Sequence, residues 1–310
     1  MPRDRVGVTP TAAELLAHLA GQVPDDLLER ARDRLAEGDL AEVGRLVRFG
    51  RAAFGCTVPP DCYDVALGLF TAAGASGDEL AMLVFPRTPV PPYEFRPDLA
   101  LDGPLDLMAD PELADLCCDD LDRSVTTLAG EVPGLHGVWR TWRAPLGLTS
   151  WHTRLYVAET VTDPMPAWRR LRTVAGDGVL VEVLRAGRRV PEYHHRARMG
   201  AALLWADVVR VAPLIAPRLE ALSAAGPVDA VVRPRLRRFL ESGVDLPGGW
   251  RTDGMWVWPA CYTAYLVRHG VAPHGPLLDH ARSRGFEVGA VDSVAQYRAL
   301  AAVARSAGQQ

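Results

Sequence analysis

The sequence contains no lysine and no asparagine, and Ile215 is its single isoleucine. All 34 basic residues are therefore arginine. The three scarce residue types have AT-rich codons, so the pattern reads as a protein of a very GC-rich bacterial genome. The missing lysine has chemical consequences. A Schiff base to the protein is impossible, which excludes pyridoxal-phosphate enzymes and lysine-dependent aldolases. The phosphate-binding loop needs its lysine, and so does protein-kinase chemistry, so neither is expected.

Long apolar runs are also missing. No uncharged stretch reaches the roughly 18 residues that a membrane span requires. The best candidate, MGAALLWADVVRVAPLIAP, is broken by Asp207, Arg210 and Pro213. The start, MPRDRVGVTPTAAELL, has no apolar core and no small-residue cleavage site, so no secretory signal is expected. Cysteine is sparse: Cys56, Cys62, Cys117, Cys118 and Cys261 are odd in number, and no C-x-x-C spacing occurs. This is not a disulfide framework. A cytoplasmic protein with reduced thiols and no membrane partner is the expectation. The net charge of −4 argues against a nucleic-acid partner, because such binders carry a basic excess.

What is present is a well-punctuated helical pattern. Thr11 with Glu14 forms a capping box ahead of AAELLAHLAG, and Asp25 opens DLLERARDRLAE, which Gly38 closes. Asp39 and Glu42 start a third helix, and Ser76 with Glu79 starts a short one ending near Phe85. Residues 1–85 therefore read as a helical bundle segment. Six prolines in PRTPVPPYEFRPDLALDGP make 86–104 an extended crossing segment. Residues 105–245 read as an α/β core with helices. It opens with one helix from Pro111, capped by Asp110. LHGVWRTWRA, WHTRLYVAET and GVLVEVLRAG then alternate as strands do, with PMPAWRRLRTVAG helical between the last two, a strand–helix–strand unit. A helix from Pro191 is expected to carry on through MGAALLWADVVRVAP. Residues 246–310 read as a helical C-terminal module. A hairpin, WRTDGMWVWP, enters it, turning at Asp253-Gly254, and Ser293 with Gln296 caps the last helix. The expected class is α+β, mostly helical, with the small strand–helix–strand unit in the middle.

W-R-T-D-G-M-W-V-W-P, the tyrosine-bearing helix after it, R-H-G-V-A-P and L-L-D-H-A-R-S-R-G-F together resemble the C-terminal region of a group of uncharacterised actinobacterial proteins. DDLLERARDRLAEGDLAEVGRLVRFG and VWRTWRAP are similar to the same group. The resemblance implies an actinobacterial source and supplies no reaction, cofactor or site residue.

The catalytic inventory is empty. His269, His274 and His280 lie near one another in sequence, but no H-E-x-x-H or H-x-x-H occurs, so no metal site is expected. Cys117 and Cys118 sit among acids, which disfavour a thiolate, and Cys261 at a helix start is the better-placed thiol. Ser150 lacks the G-x-S-x-G frame of a hydrolase nucleophile. Asp115, Asp119 and Asp122 have no matching second motif and read as a solvated acidic face. G-D-G at 176–178 precedes a strand, so it holds no phosphate. No catalytic residue and no cofactor is expected. Arg233, Arg235, Arg237 and Arg238 form the densest basic run, and Arg233 aligns with Arg237 on one helix face.

The functional expectation is a non-catalytic interaction or accessory protein, immunity-like by analogy, with another protein as its partner. Its candidate partner- or ligand-binding residues are Trp256, Trp258, Asp253, Cys261, His280, Arg233 and Arg237. The alternative is a small-molecule enzyme with its site beside the Trp250–Pro259 hairpin, where Trp256 and Trp258 share one face.

Overall fold

The computed structural model describes residues 11–76, 93–147, 152–208, 212–218 and 227–308. Ser150 and the proposed cap pair's Glu79 lie outside them, as does the segment 86–92. The chain forms two units, residues 1–102 with 115–207, and residues 103–114 with 208–310.

The first unit opens with α1 (Ala12–Leu19), α2 (Asp25–Glu37) and α3 (Leu40–Phe54). A 3₁₀ turn (Pro60–Cys62) then leads into α4 (Tyr63–Ala72). Thr11 caps α1 as a full capping box with Glu14, and Asp39 caps α3 through the Glu42 amide. Strand β1 (Tyr93–Arg96) follows; β2 (Leu105–Asp106) and the start of α5 (Pro111–Cys117) belong to the second unit. Back in the first unit come α6 (Asp120–Ala129), β3 (Leu135–Pro145), β4 (Thr153–Thr160), α7 (Pro164–Ala175), β5 (Leu180–Arg185), α8 (Glu192–Met199) and β6 (Ala202–Ala206).

Strand β3 is central. It pairs antiparallel with β4 along one side, and on its other side with β6 over Gly137–Arg140 and with β1 over Trp142–Pro145. Strands β4 and β5 are parallel, joined through α7, which is the strand–helix–strand unit of the sequence. Leu155 and Val157 of β4 face the core formed by α1–α4 and by Tyr193 and Ala197 of α8. Tyr156, between them, points the opposite way, to Asp122 of α6. Helices thus cover both faces of the sheet, which explains why β3, β4 and β5 are buried along most of their length, polar residues included.

The second unit is built on a smaller sheet. It contains β7 (Leu214–Ile215), α9 (Val232–Ser242), β8 (Val244–Leu246), β9 (Trp250–Thr252), β10 (Trp256–Pro259), α10 (Tyr262–His269), α11 (Gly275–Ser283) and α12 (Ser293–Gly308). The strand order is β7-β10-β9-β8, with β7 parallel to β10 and the other pairs antiparallel. Among the described residues, no helix in either unit is long and apolar enough to cross a membrane.

Several expectations need correction. The class is α+β, but the protein is not mostly helical around one small strand–helix–strand unit: among the described residues, ten strands in two sheets organise it. The largest discrepancy is the expected helix through MGAALLWADVVRVAP. Helix α8 stops at Met199, and Ala202–Ala206 forms β6. A short apolar run is compatible with either state, and here the open edge of β3 decides. Gly200 makes the change possible, because a Cβ there would lie 2.2 Å from the Phe95 carbonyl oxygen. The one helix expected from Pro111 is two, Pro111–Cys117 and Asp120–Ala129, with Asp119 capping the second in a box with Asp122. At α12 the side chain that accepts from the first turn is Asp292, through the Ala295 amide at 2.7 Å.

Candidate functional site

The tryptophan hairpin forms, but its turn is shifted by one residue. Asp253 N donates to the Trp256 carbonyl, so Gly254 and Met255 are the central pair. Gly254 has φ +89°, the conformation that a turn with glycine in first position requires. Asp253 therefore flanks the turn and supports it: Oδ1 accepts from the amides of Met255 (3.0 Å) and Trp256 (2.8 Å). Its Oδ2 meets His280 Nε2 at 2.6 Å, and the carboxylate is buried.

Both faces of β10 are covered. Trp258 is fully buried and stacks on Phe239 at 5.4 Å among residues of α9, α10 and α11, with Trp256 packed against the same cluster. Val257 points the other way, to Leu246, Trp250 and Ala299 of α12. The Trp256 ring lies between His274 (5.5 Å) and His280 (6.1 Å). Burial lowers the His274 pKa, and its Nδ1 is buried without a hydrogen-bond partner. Cys261 is exposed at the start of α10.

The arginine run lies on α9 of the same unit, and Arg233, Arg235, Arg237 and Arg238 are all exposed. Arg237 pairs with Glu241 one turn on, at 2.8 Å, and Arg235 lies over the Phe286 ring. Val231, just ahead of α9, is 76 % exposed. The face combines positive charge with one apolar contact.

In the first unit the acidic stretch 115–122 is a solvated face only in part: Asp115, Asp119 and Asp120 are exposed, and Asp122 is not. Asp122 is fully buried, receiving Arg140 Nη1 at 2.5 Å and the Tyr156 hydroxyl at 2.7 Å. Asp119 accepts from both terminal nitrogens of Arg154, at 3.0 and 2.5 Å, and this hydrogen bonding holds its carboxyl down at about 2. A second buried set joins Arg32 of α2, Glu182 of β5 and His194 of α8: Glu182 Oε2 lies 2.5 Å from Arg32 and 2.9 Å from His194. Burial alone would raise the Glu182 carboxyl, but Arg32 and His194 outweigh it and leave it lowered. These networks tie helices to both sheet faces.

One convergence escaped the sequence reading. His18 of α1 meets Asp61 and Cys62 of the 3₁₀ turn, with one ligand atom of each within 4.8 Å of the others. Glu14, one turn before His18, holds Arg188 at 2.8 and 3.2 Å beside them. Burial pushes the Cys62 thiol up to about 12, and the charges of Asp61 and Glu14 add to the effect, so it is no nucleophile at neutral pH. Burial also lowers the His18 pKa, against the opposing pull of Asp61. A cavity of about 20 Å³, room for roughly one water, adjoins this cluster. Its lining includes Glu14, His18, Pro164, Arg185, Arg188 and Arg189. Arg185 ends β5 and Pro164 opens the helix that follows β4, so the cavity lies beyond the carboxyl ends of two parallel strands. Open α/β sheets bind ligands at such ends. The signals available in sequence were the i, i+4 pair Glu14/His18 and the adjacent Asp61-Cys62, which no motif connects.

Compared with known proteins, the chain matches no protein-family model, no curated protein and no solved structure.

Proposed function

We propose that the protein is a non-catalytic interaction protein that docks an acidic partner protein through the arginine face of α9. One observation carries this reading: Arg233, Arg235, Arg237 and Arg238 all reach solvent, next to the exposed Val231. Arginine suits such a surface, since its planar fork grips carboxylates through two parallel hydrogen bonds and is weakly hydrated for its charge. The overall charge of −4 argues against a nucleic acid as the partner. In this reading the protein acts in the cytoplasm of its GC-rich host, as an accessory or immunity-like factor.

The alternative, an enzyme working at the hairpin, has the Asp253–His280 contact in its favour. That carboxylate is buried, however, and both of its oxygens already accept hydrogen bonds that close the turn and fasten α11 to it.

The test is affinity capture from extract of the native host, with wild type against an Arg233→Glu/Arg237→Glu/Arg238→Glu variant whose circular dichroism is unchanged. The wild type is expected to retain one acidic protein in stoichiometric amount, less of it as salt rises, and the variant to lose it. Equal retention by the variant, or a wild type that holds no protein, overturns the proposal.

A further inference from the structure

We propose that His18, Asp61 and Cys62 form a binding site for a divalent cation of the zinc class. The three side chains offer one imidazole nitrogen, one carboxylate oxygen and one thiol sulfur, all mutually within 4.8 Å. Zinc sits about 2.0–2.3 Å from such donors, which places tetrahedral ligands on the order of 3.5 Å apart. A shift of about 1 Å, within the reach of side-chain rotation, brings the observed atoms to that spacing. Sulfur with imidazole selects zinc over magnesium or calcium, which take oxygen ligands.

The surroundings fit a bound ion. Cys62 is 1 % exposed inside the α1–α4 core, whereas Asp61 is exposed, so one donor is anchored and another faces the entry path. The charge of Arg188 nearby is offset by its two contacts with Glu14. Three protein donors leave a fourth position open, the arrangement of zinc sites that bind a water or a small ligand. The adjoining cavity, with Arg185, Arg188 and Arg189 in its lining, gives that fourth ligand a place and favours an anion. The site lies in the first unit and α9 in the second, so the proposal does not depend on the docking face.

The experiment uses the full chain without an affinity tag, stripped with a chelator and titrated with Co²⁺, then with Zn²⁺. The expected result is one ion per chain, with the d–d bands of tetrahedral cobalt and a thiolate-to-cobalt charge-transfer band, all bleached by zinc. Cys62→Ser is expected to lose the charge-transfer band. Because Cys62 is buried and its replacement can disturb folding, Asp61→Ala serves as the second variant; it keeps the fold and binds at least about tenfold more weakly. A wild type that takes up no stoichiometric cobalt, or whose bound cobalt lacks the thiolate band, overturns the proposal. So does a folded Asp61→Ala variant that binds as tightly as wild type.

Discussion

Two aspartates, Asp253 in the second unit and Asp61 in the first, show how differently a conspicuous and an inconspicuous stretch of sequence use the same side chain. Asp253 stands amid tryptophans, and its carboxylate is buried, with both oxygens bonded to backbone amides and His280. Asp61 stands in a plain proline-flanked turn and is exposed, close to a histidine and a thiol that share its space. A satisfied polar group contributes to stability and has little capacity for a ligand. A group of donors that face one another across a gap is suited to binding. Aromatic density marks the part that holds the second unit together; donor geometry marks the part suited to chemistry.

The sharpest way to break this comparison is to damage the hairpin. Trp258 is fully buried and stacked on Phe239, so Trp258→Ala removes a large ring from a closed core and leaves a cavity. It is expected to destabilise the second unit by about 3–5 kcal/mol. Urea unfolding followed by tryptophan fluorescence measures this. A loss under about 1 kcal/mol would mean that Trp258 is not a core residue, and the contrast with Asp61 would collapse.

Asp253→Ala tests the same region through polar satisfaction. It deprives the Met255 and Trp256 amides of their acceptor and leaves His280 Nε2 without its carboxylate. The expected cost is about 2 kcal/mol, the scale for unmaking buried hydrogen bonds. Hydrogen exchange gives the local readout, with the amides of Met255 and Trp256 exchanging faster than in wild type. Unchanged exchange would show that the turn holds without the carboxylate.

Much of the helical framework was legible because its signals are local. Thr11 with Glu14, and Asp39 ahead of Leu40, satisfy amides within a single turn, so their effect is written in adjacent residues. The parallel pair β4 and β5 was legible for a related reason, since alternation gave way to a helical period and then returned. Strand β6 was not legible: Ala202–Ala206 could have continued α8, and only the unpaired side of β3, distant in sequence, makes it a strand. Asp122 shows the same limit in polar terms. Within its own segment it looks like one acid among several, and Arg140 and Tyr156, which bury it, come from β3 and β4. Of the site, the arginine run on α9 was visible as a run, whereas His18, Asp61 and Cys62 share no motif because folding alone brings α1 beside the 3₁₀ turn.

The smallest expected effect is the most discriminating. Asp61 is exposed, so Asp61→Ala in cation-free protein is expected to change stability by no more than about 0.5 kcal/mol. Zinc is expected to narrow the gap. A ligand that binds only the folded protein stabilises it by about 2.7 kcal/mol at a hundred times its dissociation constant, so zinc is expected to raise the wild-type melting temperature. At the same zinc concentration Asp61→Ala, binding at least about tenfold more weakly, is expected to lose about half of that stabilisation or more, while Asp253→Ala, weaker throughout, keeps it in full. Asp253 would then matter with or without the ion and Asp61 only with it. Differential scanning calorimetry of the three proteins with and without zinc decides the point. If Asp61→Ala melts as low as Asp253→Ala in the absence of zinc, both aspartates are structural, and the distinction between a satisfied and an available carboxylate does not hold in this protein.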